Sequence, residues 1–310
     1  MSKLVVLGSV NADHVLKVPS FPRPGETLHG SGYQVIPGGK GANQVVAAVR
    51  LGADTAFIAS VGDDAFGREM QESFVQQGID SSAVMTEQET PTGIAMIQVA
   101  DTGENSICIS AEANDNLDAA RITPHLGLIE KADYLLMQLE TPIDGVELAA
   151  KIANESNTKV VLNPAPAREL SDDLLSRVDI ITPNETEAEL LTGVTVFDEP
   201  SARLASDILH AKGIATVMIT LGSKGVWLSR KKEQGEVIPG FKVDVTDTTA
   251  AGDTFNGALV TGLLEEMPLD AAIVFAHAAA AISVTRFGAQ TSIPNRQEVE
   301  EFISQQLIQK

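Results

Sequence analysis

Short apolar runs alternate with stretches of helical periodicity along most of this chain, and this alternation limits the fold more than any other feature. The predicted strands are Leu4–Leu7, Ala56–Ser60, Tyr134–Gln138, Val160–Leu162, Ile180–Thr182 and Val217–Thr220. The predicted helices between them include Ala42–Leu51, Ala65–Gln77, Ile143–Glu155, Glu185–Thr192 and Ser201–Ala211. Strands joined by helices in this way predict an α/β fold with a mostly parallel central sheet flanked by helices.

Two regions interrupt the alternation. Residues 13–36 and 93–111 show strand patterns punctuated by glycine and proline and no helical pattern, which predicts a small β-layer inserted twice into the α/β core. A sheet of this size is marginal alone, so we expect it to pack on something, as a lid over a site or against a second subunit. No linker divides the chain, so we interpret residues 1–310 as one domain.

Composition limits the kinds of partner that the protein can bind and the cellular compartments that suit it. The formal net charge of −20 argues against nucleic acid or an anionic membrane as a partner, and a phosphate-bearing substrate would need local helix N-termini, cations and a divalent metal. The single cysteine, Cys108, excludes an intramolecular disulfide and is expected to be a small buried side chain. Because the apolar stretches are too short for a membrane span or a signal sequence, we expect a cytoplasmic protein.

The run Asp247–Gly257 contains the strongest candidate for a reactive group. Asp253 follows an Ala-Ala-Gly turn and precedes a predicted helix, Thr254–Leu264. The first amides of a helix lack internal partners and can bind a phosphate, while the carboxylate could accept a proton from an attacking hydroxyl. An aspartate here could equally be a helix cap, and this motif alone does not choose between the two interpretations.

Three further segments have an ordinary and a functional interpretation. Pro37–Asn43 is either a glycine-rich turn into a helix or a close approach to a ligand, and it is not a phosphate-binding P-loop because Gly41 follows Lys40. Asn184 and Glu187 fit a capping box, or contacts to a phosphate and to the water shell of Mg²⁺. Thr220–Gly225 is either a β-turn or a surface for a nucleotide.

Single polar residues follow other predicted strands. Asn11, Asp13 and Glu140 lie where ligands bind in open α/β sheets, although each could be a loop residue facing water. His277 lies in the apolar stretch Ala271–Val284, where a core role is commoner than ligand contact. The sequence has no Cys/His metal cluster and no Gly-x-Gly-x-x-Gly after its first strand, which argues against a nicotinamide-dependent oxidoreductase.

Taken in order, Pro37–Asn43, Asn184–Glu187 and Asp247–Gly257 resemble the motifs of the ribokinase family of carbohydrate kinases, over essentially the whole chain. The segments Gly8–Asp13, Leu139–Glu140, Asn163–Ala167 and Thr285–Gln290 are similar to the same family. The resemblance implies a ribokinase-like fold, with the two β insertions as a lid and a homodimer formed through them. It also implies transfer of the γ-phosphate of ATP to the 5-hydroxyl of D-ribose.

The resemblance implies roles for individual residues as well. Asp253 matches the catalytic base, with a low pKa expected at a helix start, and the anion hole matches the amides of Ala250, Ala251, Gly252 and Asp253. Sugar contacts carry over to Asn11, Ala12, Asp13, Gly39, Lys40, Gly41, Ala42, Asn43, Glu140 and Asp253. Contacts to ATP carry over to Asn184, Thr220, Leu221, Gly222, Ser223, Lys224, Gly225, Gly252, Asp253 and His277. Glu187 would approach Mg²⁺ through water, and a monovalent cation, usually K⁺, would be bound by Asp247, Thr249, Ser283, Arg286, Gly288 and Ser292.

Other functions on this fold stay open from the sequence. One is another sugar kinase or a nucleoside kinase, although the lid region has few aromatic residues to cover a base, Phe21 and Tyr33 among them. Another is a non-catalytic, sugar-binding regulator, against which the intact pair of Gly252 and Asp253 argues. Fold similarity alone does not decide the substrate.

Overall fold

Two β-sheets organise the chain in the computed structural model, which describes residues 3–102 and 104–308 and the side chains as far as residue 306. The two positions at each end of the predicted 1–310 domain, and position 103 of the predicted 93–111 insertion, lie outside the described residues. The strands are β1 (Lys3–Leu7), β2 (Asn11–Val18), β3 (Ser31–Gly38), β4 (Asp54–Gly62), β5 (Asp80–Glu87), β6 (Gly93–Ala100), β7 (Asn105–Ser110), β8 (Tyr134–Met137), β9 (Lys159–Leu162), β10 (Ile180–Ile181), β11 (Thr216–Thr220), β12 (Val226–Arg230) and β13 (Glu236–Ile238). The α-helices are α1 (Lys40–Arg50), α2 (Ala65–Gln76), α3 (Ala119–Ile122), α4 (Leu126–Ile129), α5 (Ile143–Glu155), α6 (Asp172–Leu175), α7 (Glu185–Thr192), α8 (Glu199–Ala211), α9 (Ala251–Leu264), α10 (Leu269–Ser283) and α11 (Arg296–Ile308).

The large sheet confirms the predicted α/β fold. Its strands follow the order β13-β12-β11-β10-β9-β8-β1-β4-β5, and all run in one direction except β12, which pairs antiparallel with both β11 and β13. In the middle of the sheet, Val5 of β1 is paired with Leu135 of β8 and Ala56 of β4. Val5 and Val6 pack into separate cores on the two faces of the sheet. Burial on both faces explains why these strands are continuous apolar runs rather than alternating ones.

The small sheet is built from the two regions that the sequence predicts to be β-rich. Its strand order is β3-β2-β6-β7, with β2 and β6 parallel and both outer pairs antiparallel. The predicted burial of Cys108 is wrong, because β7 is an edge strand whose side chains are all exposed.

Several helices begin earlier than the sequence predicts. α1 begins at Lys40, α8 at Glu199 and α9 at Ala251, two or three residues before the predicted starts. Glycine and proline in these first turns obscure the helical periodicity. Proline is nevertheless compatible with a first turn, because the amide that it lacks would have no partner within the helix. Asp253 therefore lies inside the first turn of α9 rather than before it. In the described part of the chain, the helices are too short or too polar to cross a lipid bilayer.

Helices α1 and α9 pack closely at the carboxyl edge of the large sheet. Gly257 of α9 permits this approach, because a Cβ atom there would lie 2.6 Å from the carbonyl oxygen of Gln44 and 2.6 Å from the Cβ of Ala47. The contact brings the first turns of the two helices together. Two motifs that are more than two hundred residues apart in sequence thus become neighbours in space.

We predict that Gly257→Ala lowers the stability of the protein, because its methyl group would force α1 and α9 apart. Overpacking of this kind costs about 1–3 kcal/mol, and the urea midpoint should fall accordingly. Gly127→Ala in α4 is the matched control, since a Cβ at Gly127 meets nothing within 4 Å. That substitution should be neutral or stabilise by up to about 1 kcal/mol. Equal stability of Gly257→Ala and the wild type would contradict the predicted strain.

Candidate active site

The polar residues singled out from the sequence gather at the carboxyl edge of the large sheet. Asn11 follows β1, Glu140 follows β8, Asn184 follows β10 and Thr220 ends β11. Helices α1 and α9 begin at the same edge, so the positive ends of their dipoles also face it. This is the position where parallel α/β sheets bind ligands.

The carboxylate of Asp253 is turned toward α1. Its Oδ2 atom accepts a hydrogen bond from Nδ2 of Asn43 at 2.9 Å, and its Oδ1 atom accepts one from Nε2 of Gln44 at 2.9 Å. The residue at the start of α9, Ala250, makes no side-chain capping bond, and neither does any other side chain. The interpretation of Asp253 as a helix cap is therefore wrong, since both carboxylate oxygens bind another helix.

Burial raises the pKa of Asp253 above its ordinary value. Only 7% of the residue is exposed. The positive charge of Lys40 and the hydrogen bonds from Asn43 and Gln44 oppose this shift, and the charge of Glu140 adds to it. The low pKa expected from the helix N-terminus is thus wrong, because desolvation outweighs the groups that favour the anion. A raised pKa makes this carboxylate a stronger base when it is ionised.

The backbone before Asp253 leaves part of the helix terminus open. Ala250 adopts a left-handed conformation with φ of 59°. The N–H of Ala251 donates to the carbonyl of Thr248 at 3.2 Å, so this amide of the predicted anion hole already has a partner. The N–H groups of Gly252 and Asp253 have no side-chain cap. These two amides are the ones positioned to receive an anion at the positive end of α9.

The predicted sugar residues surround Asp253. Gly39 has φ of 91°, and a Cβ there would lie 2.7 Å from the backbone nitrogen of Asn11, so the turn into α1 requires glycine. The N–H of Lys40 donates to Oε2 of Glu140 at 3.0 Å. Within the described residues, Oδ1 of Asp13 and Oδ1 of Asn43 are buried without a hydrogen-bond partner. Buried, unpaired oxygens beside a carboxylate suit the hydroxyls of a small polyol.

Four carboxylates act on the half-buried cation of this group, Lys40. Burial would lower the pKa of Lys40, but Asp253, Glu140, Glu187 and Asp13 together hold it above its ordinary value. Burial raises the pKa of Asp13 to about 7, assisted by Glu140 and Asp253 and opposed by Lys40. Lys40 therefore stays protonated, and the acidic groups compete for one counter-charge.

The predicted nucleotide residues lie along the adjacent strand ends. The capping box of Asn184 and Glu187 is confirmed, with Oδ1 of Asn184 accepting from the Glu187 N–H at 2.8 Å and Oε2 of Glu187 accepting from the Asn184 N–H at 2.8 Å. Asn184 is paired with Thr220 as an isolated parallel bridge. A tight turn at Gly222–Lys224 joins the antiparallel strands β11 and β12, which confirms the turn interpretation. The same segments can serve a nucleotide, because caps and turns leave one face of the backbone open.

His277, the remaining residue predicted to contact ATP, lies on α10. Its ring packs against Phe255 with centroids 5.5 Å apart. Burial lowers the pKa of His277 to about 4, with the backbone of Pro239 opposing the shift. Neither ring nitrogen has a well-formed hydrogen bond among the described residues. His277 is therefore a buried residue packed on the core, as the commoner interpretation expects, and its neutral ring can still accept or donate a hydrogen bond.

The residues expected to bind a monovalent cation lie at the end of α10 and on two loops joined by hydrogen bonds. Oδ1 of Asp247 accepts from the N–H and the hydroxyl of Thr249, and Oδ2 accepts from the N–H of Gly288 at 3.0 Å. Burial would raise the pKa of Asp247, but these hydrogen bonds outweigh it and hold the pKa below its ordinary value. The N–H of Asp247 also donates to the carbonyl of Val284, next to Ser283. An ionised carboxylate among backbone carbonyls suits a hard cation.

The remaining residues of the predicted cation site differ in the atoms that they could offer to a cation. The hydroxyls of Ser283 and Ser292 donate their hydrogens to the carbonyls of Ala280 and Ala289, so the lone pairs of each hydroxyl oxygen remain free for a cation. Arg286 pairs with Glu298 and contributes no donor atom through its cationic side chain. Among the described residues, no three His, Cys, Asp or Glu side chains converge as a metal cluster.

Sequence motifs do not identify every residue that shapes this site. Gln44, Gln138 and Asn163 form a buried chain of amide hydrogen bonds behind Asp253. The side chain of Asn114 donates to Oδ1 of Asn11 at 2.9 Å and pairs with the backbone of Val10. The only sequence signal for these residues is an amide side chain in an otherwise apolar segment, which does not reveal its partner.

We predict that removing the carboxyl group of Asp13 changes how stability depends on pH. The folded pKa of about 7 exceeds the ordinary value of about 4, so the folded protein binds this proton more tightly and loses stability as pH rises between these values. The ligand-free Asp13→Asn variant lacks this loss. From about pH 5 to about pH 8 its stability should improve by about 2–3 kcal/mol relative to the wild type in urea unfolding. Parallel pH profiles of the two proteins would contradict the raised pKa.

Comparisons with known proteins identify the family of the chain. The chain is 59% identical over 300 residues to the ribokinase of Haemophilus influenzae, covering 97% of this chain and 98% of that protein. It is similar to the crystal structure of a ribokinase from Thermotoga maritima, with a TM-score of 0.88, 38% identity and coverage of 98% and 100% of the two chains. It is also similar to the Arabidopsis thaliana ribokinase complexed with ribose and ATP, with a TM-score of 0.91, 32% identity and coverage of 98% and 99%. Residues 1–296 match the family described as pfkB family carbohydrate kinase. The chain belongs to the pfkB family of carbohydrate kinases.

Proposed function

We propose that this chain transfers the γ-phosphate of ATP to the 5-hydroxyl of D-ribose, giving D-ribose 5-phosphate and ADP. The observation that carries the proposal is the buried carboxylate of Asp253, held beside the open N-terminus of α9 by amides from α1. The identity to ribokinases over nearly the whole chain supports ribose as the sugar.

In the proposed mechanism Asp253 accepts the proton of the attacking hydroxyl. The amides of Gly252 and Asp253, with those of Ala250 and Ala251 nearby, receive the transferred phosphate. The Ala251 amide would have to leave the carbonyl of Thr248 to take part. Phosphoryl transfer depends mainly on positioning and on neutralising charge. Lys40 supplies a fixed positive charge inside an otherwise acidic site.

Two groups of residues would position the substrates. Asn11, Asp13, Asn43 and Glu140 bind the sugar hydroxyls, while Gly39 and Gly41 let the start of α1 pack against the backbone of residues 8–11, which holds this site together. The buried oxygens of Asp13 and Asn43 gain the partners that they lack in the free protein. The nucleotide lies along Asn184, Thr220–Gly225 and His277. The small sheet closes over the sugar as a lid within a single 1–310 domain.

Two cations complete the proposal. Glu187 would hold Mg²⁺ through water, since both of its carboxylate oxygens already accept hydrogen bonds from Asn184. K⁺ binds near Asp247, Thr249 and Gly288, with backbone oxygens of the 283–292 segment. When bound, these ions supply positive charge that offsets the phosphates of ATP and the acidic site.

We predict that Asp253→Asn lowers kcat by about 10²–10⁴-fold, the usual contribution of a positioned base, while calorimetry still detects ribose binding. Asp118→Asn is the matched control, since Asp118 caps α3 and an asparagine can replace it there. The control should keep the activity of the wild type. Turnover of Asp253→Asn within about threefold of the wild type would contradict the assignment of the base.

An assay of ADP release separates the alternative functions. Purified protein with ATP and Mg²⁺ should release ADP fastest with D-ribose, more slowly with 2-deoxy-D-ribose, which lacks a hydroxyl that the site can bind, and least with fructose or adenosine. Replacing K⁺ by choline should lower the rate. A preference for another acceptor would indicate a different kinase of the family. Ribose binding without ADP release would indicate a non-catalytic regulator.

The proposal includes a homodimer formed through the small sheet. Exposed large apolar side chains lie on both faces of this sheet, with Tyr33, Val35 and Met96 together on one face, where the interface is proposed, and Ile107 and Ile109 on the other. Exposed apolar patches of this kind mark interaction sites. Cys108 lies in the same sheet and has no disulfide partner, which fits the reducing cytoplasm as the proposed compartment.

We predict that the wild type sediments as a dimer and that Met96→Glu shifts it to the monomer, because a buried charge in an apolar interface is costly. Val75→Glu is the matched control, since Val75 is 66% exposed on α2, outside the small sheet. It should leave the dimer intact. Sedimentation of the wild type as a monomer at micromolar concentration, or of Met96→Glu as a dimer, would contradict this interface.

A further inference from the structure

We propose that Gln44 is a positioning residue, which clamps the carboxylate of Asp253 in the orientation that accepts a proton from the sugar. The inference rests on the proposed phosphoryl transfer with Asp253 as the base. It adds to that proposal a residue to which the motifs assign no role.

Every polar atom of the Gln44 amide is engaged, although the residue is 0% exposed. Its Nε2 atom donates to Oδ1 of Asp253 at 2.9 Å and to Oδ1 of Asn163 at 3.1 Å. Its Oε1 atom accepts from Nε2 of Gln138 at 2.6 Å. A primary amide has two N–H donors, so neither is left free to exchange partners.

Only one orientation of this amide satisfies its neighbours. An ionised carboxylate can only accept hydrogen bonds, so the side facing Asp253 must be the nitrogen. The reversed amide would set its oxygen against two acceptors and its nitrogen against the Gln138 donor. Asn163 is fixed in turn, because its Nδ2 atom donates to the carbonyl of Thr182 at 3.2 Å and leaves Oδ1 facing Gln44. The clamp is therefore anchored to the ends of two central strands.

The two carboxylate oxygens of Asp253 are held from different sides. Asn43, which also belongs to the proposed sugar site, binds Oδ2, whereas Gln44 binds Oδ1 from the side of the sheet. Without Gln44, Oδ1 would be buried with no partner and the carboxylate could rotate about its bond. Such an unpaired buried acceptor is strongly disfavoured.

The charges around Asp253 make this donor more important. Lys40 favours the ionised carboxylate, while Asp13, Glu140 and Glu187 disfavour it. Burial also favours the protonated form, and the amides of Asn43 and Gln44 oppose it. Gln44 thus stabilises the ionised carboxylate as a neutral donor. A second cation in its place would compete with the substrate for the carboxylate.

A polar side chain at this place in α1 is unusual for packing alone. Its neighbours Val45, Val46 and Ala47 are apolar and fully buried. A buried amide is costly unless it is fully hydrogen-bonded. Gln44 is fully hydrogen-bonded only when Asp253 accepts from one of its two N–H groups.

The test compares two substitutions by the pH profile of kcat. Gln44→Met keeps the length of the side chain and removes its donors. It should lower kcat at neutral pH about tenfold or more and move the acid limb of the profile upward by about one pH unit or more, with both KM values within about threefold. Gln44→Glu still accepts from Gln138 but places a second carboxyl group beside Asp253. Its acid limb should move further in the same direction.

Ser206→Ala is the matched control for the loss of a buried hydrogen bond. The Ser206 hydroxyl accepts from Nε1 of Trp227 at 3.0 Å in the core on the other face of the sheet. This variant should lose stability without moving the acid limb. An equal shift in the control would show that the effect of Gln44 is merely structural.

The outcomes separate the clamp from the proposed function. If both Gln44 variants match the wild type while Asp253→Asn is inactive, the clamp is overturned and the proposed function stands. If the wild type phosphorylates no sugar, the proposed function fails, and NMR of ¹⁵N-labelled wild-type protein decides the contact. The side-chain amide signals of Gln44 should then shift with the ionisation of Asp253 and stop shifting in Asp253→Asn. Signals that do not respond to pH would overturn the clamp, whether or not the variants fold.

Discussion

The hydrogen bonds between the carboxylate of Asp253 and the amides of α1 are the interaction on which the rest of the site depends. They join the first turn of α9 to the glycine-rich start of α1. The close approach at Gly257 allows this junction. Because the carboxylate binds α1 instead of capping its own helix, the amides of Gly252 and Asp253 stay open to an anion. One junction thus produces both a buried base and an adjacent place for a phosphate.

Charge is the second constraint. The chain carries a net charge of −20, yet the proposed substrate is the tetra-anionic ATP. Within the site, positive charge for the phosphates comes from Lys40, which is held in its protonated form, and from the positive ends of helices. Burial, together with repulsion between the acidic groups of the site, raises the pKa values of Asp13 and Asp253. Because the site is acidic before its ligands bind, it can take up protons and cations that offset the charge of ATP. The protein surface then need not be strongly positive.

Much of the architecture could be predicted from the sequence, because strands buried on both faces and amphipathic helices carry strong local patterns. The motifs around Gly39, Asn184 and Asp253 also indicated their neighbourhoods, since each follows a strand or opens a helix. What local patterns could not provide is the partner of each polar group. Gln44 was missed because its role depends on Asp253, which is distant in sequence.

The same limit explains the errors. The pKa of Asp253 was given the wrong direction because a helix terminus is visible in sequence and the depth of burial is not. Cys108 was expected to be buried because an apolar strand pattern does not distinguish a central strand from the edge strand β7. Helix starts were placed late where glycine or proline occupies the first turn.

A structure of the protein with D-ribose and a non-hydrolysable ATP analogue tests the central claim most directly. The account predicts the sugar 5-hydroxyl within about 3 Å of a carboxylate oxygen of Asp253. The terminal phosphate should lie on the amides of Gly252 and Asp253, in line with that hydroxyl. A sugar whose 5-hydroxyl faces away from Asp253, or a terminal phosphate bound away from the start of α9, would contradict it.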